Sequence, residues 1–575
     1  MEEANDLSVV AAGSTIDRVD FVRGRAALLA DTGLQGRRFA EAYRELTDAW
    51  LAQVFEGVVG GHLGVSLLAV GDYGRGELSP GSDLEVVLVH APNTDVACLA
   101  ERIWEREGES KVQLHHAVRT VREALSLAAT DLELATALLD ARLIAGDASL
   151  AEAVYWGARA SWAKRGRTWI GALRASVEER STQSGEVAHL LEPDLELAHG
   201  GLRDGRTLRW AETAWPVLLN GDADALDEAY DELFAVRVEL QRASGRCSGD
   251  ALLLQDQDAV AEALGDADAD VLMARVATAA KTIAWTLDDV WWRADGTPDP
   301  THGAEARPLA AGIVLQGGAV ELTHDASPAD HPTMVLRVAA AAAANHTRIG
   351  RASLQRLAAE ATDFPDPWPL GARGALVDLL RAGPCAIPVI EALDHVGVWT
   401  RVLPEWEPVR CRPQRNAHHR YTVDRHLLET AANAAGLAHR VDRPDLLVIG
   451  ALLHDLGKGY PGDHTDAGVE LLLRLGPRFG YSADDVAVLV SLVRHHLLLP
   501  DVATRRDLDD PETIDEVVAE VGTVAELELL AALTEADSLA TGPAAWSSWK
   551  AELVDELVHR ALDVMPGSYT VGAQR

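Results

Sequence analysis

Near the C-terminal end of the sequence, histidines and aspartates stand in an order that suits metal chemistry: His426, the adjacent His454 and Asp455, His464, the pair His495 and His496, and Asp537. Imidazole and carboxylate together are ligands for hard-to-borderline divalent cations. The most informative stretch is LLVIGALLHDLGKG (446–459), an apolar helical run that ends abruptly in His454, Asp455 and Lys458. A buried helix end has no use for so many polar groups unless something satisfies them. His426 lies in YTVDRHLLETAANAAG, His496 in DDVAVLVSLVRHHLLLP and Asp537 in ELELLAALTEADSLAT, each of which reads as a helix. Separate helices would therefore each carry one or two ligands to a common point. His495 is the weaker member of its pair and is expected outside the ligand set.

This ordered set resembles the HD superfamily of metal-dependent phosphohydrolases. The resemblance implies that His426, His454, Asp455 and Asp537 are core metal ligands, and that His464 and His496 complete a second metal site. Asp455 would bridge the two cations. Metals so held lower the pKa of water and clamp the oxygens of a phosphate ester. Lys458 would offset charge on the phosphoryl group.

A second constellation lies in VSLLAVGDYGRGELSPGSDLEVVLVH (65–90). VSLLAVG reads as a short buried strand, GDYGRGE as a glycine-rich turn into a short helix, and DLEVVLVH as a second strand. Asp83 and Glu85 are two apart, so both carboxylates face one side of that strand. Paired acids beside such a turn can hold Mg²⁺ and a nucleoside triphosphate. The glycines, Gly71 first, let the backbone approach phosphate. Arg75 is a candidate phosphate contact, and Ser82 a support for the acid pair.

This stretch resembles the nucleotidyltransferase motif of the polymerase-beta superfamily and, more narrowly, that of bacterial PII uridylyltransferase/uridylyl-removing enzymes. The narrower likeness continues in order through AVRTVREAL (117–125), DLELATALLDARLIAGD (131–147), LEPDLELAHGGLRDGRTLRW (191–210), ALDHVGVWTRVLPEWEPV (392–409) and HHRYTVDRHLLE (418–429). It implies an α/β nucleotidyltransferase domain at 1–150, a helical region at 151–300 associated with it, and a linker and helical connector at 301–389. An all-α HD domain would follow at 390–562, with a tail at 563–575. It also implies transfer of UMP or AMP from UTP or ATP to a tyrosyl hydroxyl of the PII signal protein. Hydrolytic removal would occur at the HD site, with Mg²⁺ or Mn²⁺ at both centres.

The chain departs from the family pattern at three places. Asp72 stands where the family has its second motif glycine. Glu85 replaces an aspartate in the acid pair. His115 and His116 occupy the following strand, where a further acid would be sought. These departures motivate an alternative: an impaired transferase centre, leaving an HD phosphodiester hydrolase or a PII-binding regulator. The family's two glutamine-sensing ACT domains have no counterpart before Arg575, so direct glutamine sensing is not expected. A third reading, a tRNA-end or polynucleotide transferase, joins the same two folds. The GGLRD and YTVD stretches point away from it.

Composition sets the outer bounds. The 575 residues imply several domains. The formal net charge of −37 argues against broad binding to nucleic-acid phosphates. No apolar run is read as a membrane span, and MEEANDLSVV lacks the basic start of a signal peptide, so a cytoplasmic location is expected. Cys98, Cys247, Cys385 and Cys411 show no metal spacing, which leaves His and Asp as the ligands. Helices are expected at 36–57 and through much of 160–300. The Gly/Pro/Asp-rich stretch 294–335 reads as a linker with one short hairpin around GIVLQGGAVELTH.

Overall fold

The computed structural model describes residues 18–565 apart from 61–63, 93, 105–112, 217–218, 220, 246–248, 296–305 and 416–419. The chain forms two compact units, residues 1–187 with 192–294, and residues 188–191 with 295–575. Two units thus stand where five segments were expected. The expected tail beyond 565 and the first part of the expected linker lie outside the described residues.

The first unit contains a four-stranded sheet of β1 (Val65–Ala69), β2 (Leu84–His90), β3 (Leu114–Thr120) and β4 (Arg142–Gly146), in the order β3-β2-β1-β4. β1 runs antiparallel to β2 and β4, and β2 runs parallel to β3. Every residue of β1 is buried, as an apolar central strand covered on both faces must be. The helix Gly36–Val59 packs on β4 and ends at Gly60 in the left-handed conformation. Between β1 and β2 the chain makes one short helix, Gly71–Arg75. Two of its glycines are required, Gly71 by its left-handed backbone and Gly74 by close approach. Gly71 has φ +59°, and a Cβ there would lie 1.8 Å from Glu85 Oε2. A Cβ on Gly74 would lie 2.3 Å from the backbone oxygen of Asp140. The expected helices follow, among them Leu202–Ala214, Ala223–Ser244 and Ala269–Asp295.

In the second unit the expected hairpin is present as β6 (Ile313–Gln316) and β7 (Ala319–Leu322), joined by Gly317 and Gly318. It gains a third strand, β5 (Arg307–Ala310), antiparallel to β6. The stretch expected as a linker is therefore partly structural. Ile313 and Val320 are fully buried, and one hydrophobic core runs from Ile313 to Met565. The HD helices Val423–Leu437, Pro444–Leu453, His464–Phe479, Ala483–His495 and Val524–Thr541 share that core with the expected connector.

The Pro444–Leu453 helix is buried from Leu446 to Leu453, which explains its uninterrupted apolar sequence. Proline at its start supplies a preset φ where no amide partner is needed. A 3₁₀ turn, Leu456–Gly459, follows it. A Cβ on Gly457 would lie 1.9 Å from the backbone oxygen of His464, so this glycine lets the next helix cross immediately beside Asp455.

One stretch comes nearer to a membrane span in length and composition than the sequence reading allowed. Ala483–Arg505 is long and apolar enough to cross a membrane by length and composition. It consists of two helices, Ala483–His495 and Leu498–Arg505, whose residues Leu489, Leu492, Val493 and Leu499 are buried in the core. Two amphipathic core helices in succession pass the same test as a span. Among the described residues Cys385 and Cys411 form no disulfide; Cys247 and the Cys98 side chain lie outside that description.

The Gly74 contact is with backbone, which cannot swing aside. Gly74→Ala is expected to destabilise the first unit by about 1–3 kcal/mol, the usual cost of overpacking. Urea denaturation followed by far-ultraviolet circular dichroism measures this, and an unchanged midpoint contradicts it.

Candidate functional site

The HD helices bring the sequence-predicted ligands together. His426 Nε2 lies 3.0 Å from Asp537 Oδ1, 3.4 Å from His454 Nε2 and 3.7 Å from Asp455 Oδ2. His454 Nε2 lies 3.4 Å from Asp455 Oδ2 and 3.6 Å from Asp537 Oδ1. On the other side of the same carboxylate, Asp455 Oδ1 lies 3.9 Å from His464 Nε2 and 3.7 Å from His496 Nε2. Two ligand clusters result, His426–His454–Asp455 and Asp455–His464–His496, with Asp455 common to both. Asp455 Oδ1 is buried and accepts no hydrogen bond. A buried oxygen left so, facing two imidazoles, fits a cation between them.

Second contacts fix the rings. His454 Nδ1 donates to the Ala451 carbonyl at 2.9 Å and His496 Nδ1 to the Val493 carbonyl at 2.7 Å, which leaves each Nε2 facing the cluster. Burial lowers the His496 pKa, more than Asp455 raises it, so this ring is neutral and can ligate. Burial also opposes charge on His454, but Asp455 and Asp537 outweigh it and push its pKa up to about 10, a proton that a cation bound between these acids would displace. Burial raises the Asp455 carboxyl less than Lys458 and His454 lower it, so it stays well below the ordinary range. His495 turns instead toward Glu520, 3.8 Å away.

Lys458 Nζ lies 2.5 Å from Asp455 Oδ2 and donates to Gln414 Oε1 at 2.7 Å. These groups line a cavity of about 590 Å³. Its wall also carries Arg412 and Lys550, which sequence reasoning did not single out. Among the described residues, neither forms an ion pair with a carboxylate.

The first unit holds a separate cavity of about 370 Å³, lined by Gly71, Asp72, Arg75, Ser82, Asp83 and Glu85 among others. Asp83, immediately before β2, and Glu85 on it both line the cavity, as their two-residue spacing requires. His115 stands opposite Glu85 in the β2–β3 register, with its Nε2 3.3 Å from Asp83 Oδ2. His116 pairs with Val86, on the other face. Desolvation first, then the charge of Asp72, raises the Glu85 pKa. A third carboxylate, Glu133 at the start of the helix Leu132–Leu139, lines the same cavity. No spacing in the sequence linked it to β2.

Three expectations change here. Asp72 is not an isolated anion in the phosphate path. It pairs with Arg75, with Arg206 at 3.4 Å and with Arg237 at 3.3 Å. Burial raises its pKa, but these guanidiniums outweigh that and hold it far below the ordinary carboxylate range. Arg75, expected on phosphate, is instead bound by Asp72, by Glu77 at 2.8 Å and by Asp140 at 2.7 Å. Among the described residues the Ser82 side chain forms no hydrogen bond with the acid pair. Its Oγ accepts from the Ser79 amide at 2.9 Å and lies 2.9 Å from Ser79 Oγ, closing the loop that precedes Asp83. The partners of Arg75 and Ser82 come from chain folding that the motif alone does not reveal.

An all-helical centre with two His/Asp ligand clusters, in a chain that also carries a mixed sheet with an acid pair beside a glycine turn, defines a metal-dependent phosphohydrolase joined to a nucleotidyltransferase. Comparison with known proteins is specific. The HD domain family model matches residues 423–542, and that of the GlnD PII-uridylyltransferase family matches residues 170–291. Proteins named bifunctional uridylyltransferase/uridylyl-removing enzyme are similar over most of the chain. The one from Streptomyces coelicolor is 46% identical over 567 residues, covering 95% of this chain and 67% of the relative. The one from Mycobacterium tuberculosis is 43% identical over 581 residues, covering 98% and 70%. The one from Corynebacterium glutamicum is 33% identical over 491 residues, covering 84% and 70%. The chain belongs to the bifunctional uridylyltransferase/uridylyl-removing enzyme family.

Two predictions follow from this geometry. Because Asp455 is common to both clusters, Asp455→Ala should lose both Mn²⁺ equivalents, whereas His464→Ala or His496→Ala should lose one. Elemental analysis of the dialysed proteins measures this; equal metal content in all three variants contradicts it. The second concerns Glu77, buried beside Arg75, Arg206 and Arg37. Burial raises its pKa, but Arg75 and Arg206 bring it down to about 2. A depressed carboxylate pKa adds stability above its unfolded value, near 4.5, and that stability is lost as pH falls from there toward 2. Glu77→Gln should destabilise the protein by about 3–5 kcal/mol at pH 7 and flatten that acid dependence in denaturant titrations. A variant as acid-sensitive as the parent contradicts the assignment.

Proposed function

We propose that this chain is a two-centre enzyme acting on a PII signal protein. At the first centre a nucleotidyl group passes from a nucleoside triphosphate, UTP or ATP, to a tyrosyl hydroxyl of PII. The tyrosyl oxygen attacks the α-phosphorus, the bond to the β-phosphate breaks and pyrophosphate leaves. At the second centre water attacks the phosphodiester, the bond to the tyrosyl oxygen breaks, and NMP leaves with the tyrosine regenerated. We assign the transferase core to residues 1–150 with its helical partner at 151–300, and the hydrolase to 390–562 built on the preceding connector.

The observation that carries the hydrolase reading is the division of Asp455: one oxygen faces His426 and His454, the other His464 and His496. Those residues with Asp537 would hold Mg²⁺ or Mn²⁺, which when bound activates water and neutralises phosphoryl oxygens. Lys458, held by Gln414, donates toward a phosphoryl oxygen whose charge grows in the transition state. Arg412 and Lys550 attract the anionic nucleotidyl group into the cavity. At the transferase centre Asp83 and Glu85 would hold Mg²⁺, and Gly71 keeps the backbone clear where Glu85 approaches. The motive for an impaired transferase weakens, because the charge of Asp72 is compensated by three guanidiniums.

Nucleotidylated PII incubated with the protein and Mn²⁺ should release NMP. His454→Ala and Asp455→Ala should each lower that rate by roughly a hundredfold or more, since even outer-shell partners of a metal contribute about 10–100-fold. Release that survives both substitutions contradicts the hydrolase assignment. With α-labelled UTP or ATP, unmodified PII should become labelled, and Asp83→Ala or Glu85→Ala should abolish the signal. Competition between the two nucleotides decides the base. A native chain that never labels PII would favour the hydrolase-only alternative.

A further inference from the structure

The transferase cavity contains four guanidiniums, and three are fully matched. Arg75 is bound by Asp72, Glu77 and Asp140. Arg206 makes two bonds to Glu196, at 2.6 and 3.1 Å, and meets Asp72 and Glu77 at 3.4 Å. Arg237 meets Asp250 at 3.0 Å and Asp72 at 3.3 Å. The fourth, Arg203, forms no ion pair among the described residues. Its nearest influential anion, Glu196, is already committed to Arg206 and Arg237.

Arg203 is nonetheless fixed in place. It sits in the first turn of the Leu202–Ala214 helix, and its guanidinium lies over the Trp210 ring, 5.4 Å from the centroid. Positions seven apart share a helix face, so the stack is built into the helix. Trp210 is itself held, its Nε1–H donating to Asp140 Oδ2 at 3.2 Å. Burial lowers the Arg203 pKa, and Arg206, Arg180 and Arg75 add to that effect against Glu196 alone. An oriented, half-buried cation among other cations needs an external counter-ion. The neighbouring glycines do not compete for this role. Gly200 and Gly201 are required by packing, since added Cβ atoms would lie 2.6 Å from the Ala280 oxygen and 2.7 Å from the Leu195 oxygen. The amides of Gly201, Leu202 and Arg203 are already bonded to the carbonyls of Ala198, Leu195 and Glu196, so this helix start offers no free backbone donors for an anion.

The same cavity shows the opposite imbalance among its acids. Glu85 and Glu133 form no ion pair among the described residues, and Asp83 meets only His115. A ligand that carries a cation on one side and polyphosphate on another would satisfy both sets. We propose that Arg203 is a binding residue for the polyphosphate tail of the nucleoside triphosphate, holding the phosphates that leave as pyrophosphate. This rests on the transferase reading above and adds to it the residue that holds the leaving group. Its planar guanidinium, preset by Trp210, presents paired N–H donors to phosphate oxygens.

The test is calorimetric binding of an uncleavable α,β-methylene UTP or ATP to the full chain with Mg²⁺. A chain carrying Arg412→Ala and Lys550→Ala serves as background, so that polyphosphate held at the hydrolase centre is not counted. Arg203→Ala should weaken binding about 10- to 100-fold, the range for charge-assisted hydrogen bonds. Arg203→Lys, which keeps the charge but loses the fork, should fall between, and provides the measurement if the alanine variant does not fold. Arg203→Lys introduced into the chain with Arg412 and Lys550 intact should leave thermal stability and NMP release at the hydrolase centre unchanged. Equal affinity in native and Arg203 variants overturns the proposal, as does a lysine variant that melts markedly early. If the native chain binds the analogue through Arg203 yet never labels PII, the transferase reading fails while this inference stands.

Discussion

Charge in a protein interior must be matched, because desolvation makes an isolated buried ion very costly. This constraint organises both centres. Beneath the transferase cavity, Asp72, Glu77, Asp140, Glu196 and Asp250 form a continuous lattice with Arg75, Arg206 and Arg237. Tyr230 joins it, donating to Glu77 and accepting from Arg206. The lattice ties the glycine turn between β1 and β2 to the helices that carry Arg206 and Arg237. What it leaves unmatched, acids along β2 and one arginine, faces the cavity. In the second unit the same rule singles out Asp455, whose Oδ1 lacks a donor while imidazole nitrogens stand just beyond hydrogen-bond reach.

Backbone geometry allows these charges to meet. Gly71 brings the start of the turn against the Glu85 carboxylate, and Gly457 brings the His464 backbone against the turn after Asp455. At Gly457 any side chain would meet backbone, and at Gly71 the left-handed φ disfavours one. These constraints explain why glycine appears beside the chemical residues in each motif, independently of any direct contact with phosphate.

Much of the hydrolase centre was legible in the sequence. His454 and Asp455 directly follow the apolar run Leu446 to Leu453, and a charge pair in that place has few structural uses. His426 and Asp537 lie on stretches that read as helices, and His496 directly follows another; His464 was added by the family likeness. The transferase site was legible in its strands and its acid pair, and less so in its arginines. Arg75 looked free because its partner Asp140 lies far along the chain and Glu77 is turned toward it only by the short helix. Asp72 looked like an obstacle for the same reason, since Arg206 and Arg237 come from distant helices. Arg203 is seen as different only after those pairings are known. The strands at 307–322 were partly missed because they are four residues each, too short for alternation to declare a sheet.

The central claim is that unmatched charges mark where ligands bind. Anomalous diffraction from crystals grown with Mn²⁺ and an uncleavable nucleotide tests it most directly. The account predicts two peaks flanking the Asp455 carboxylate, one toward His426 and His454 and one toward His464 and His496, and a further peak between Asp83 and Glu85. Peaks confined to surface carboxylates, with none at Asp455, would contradict it.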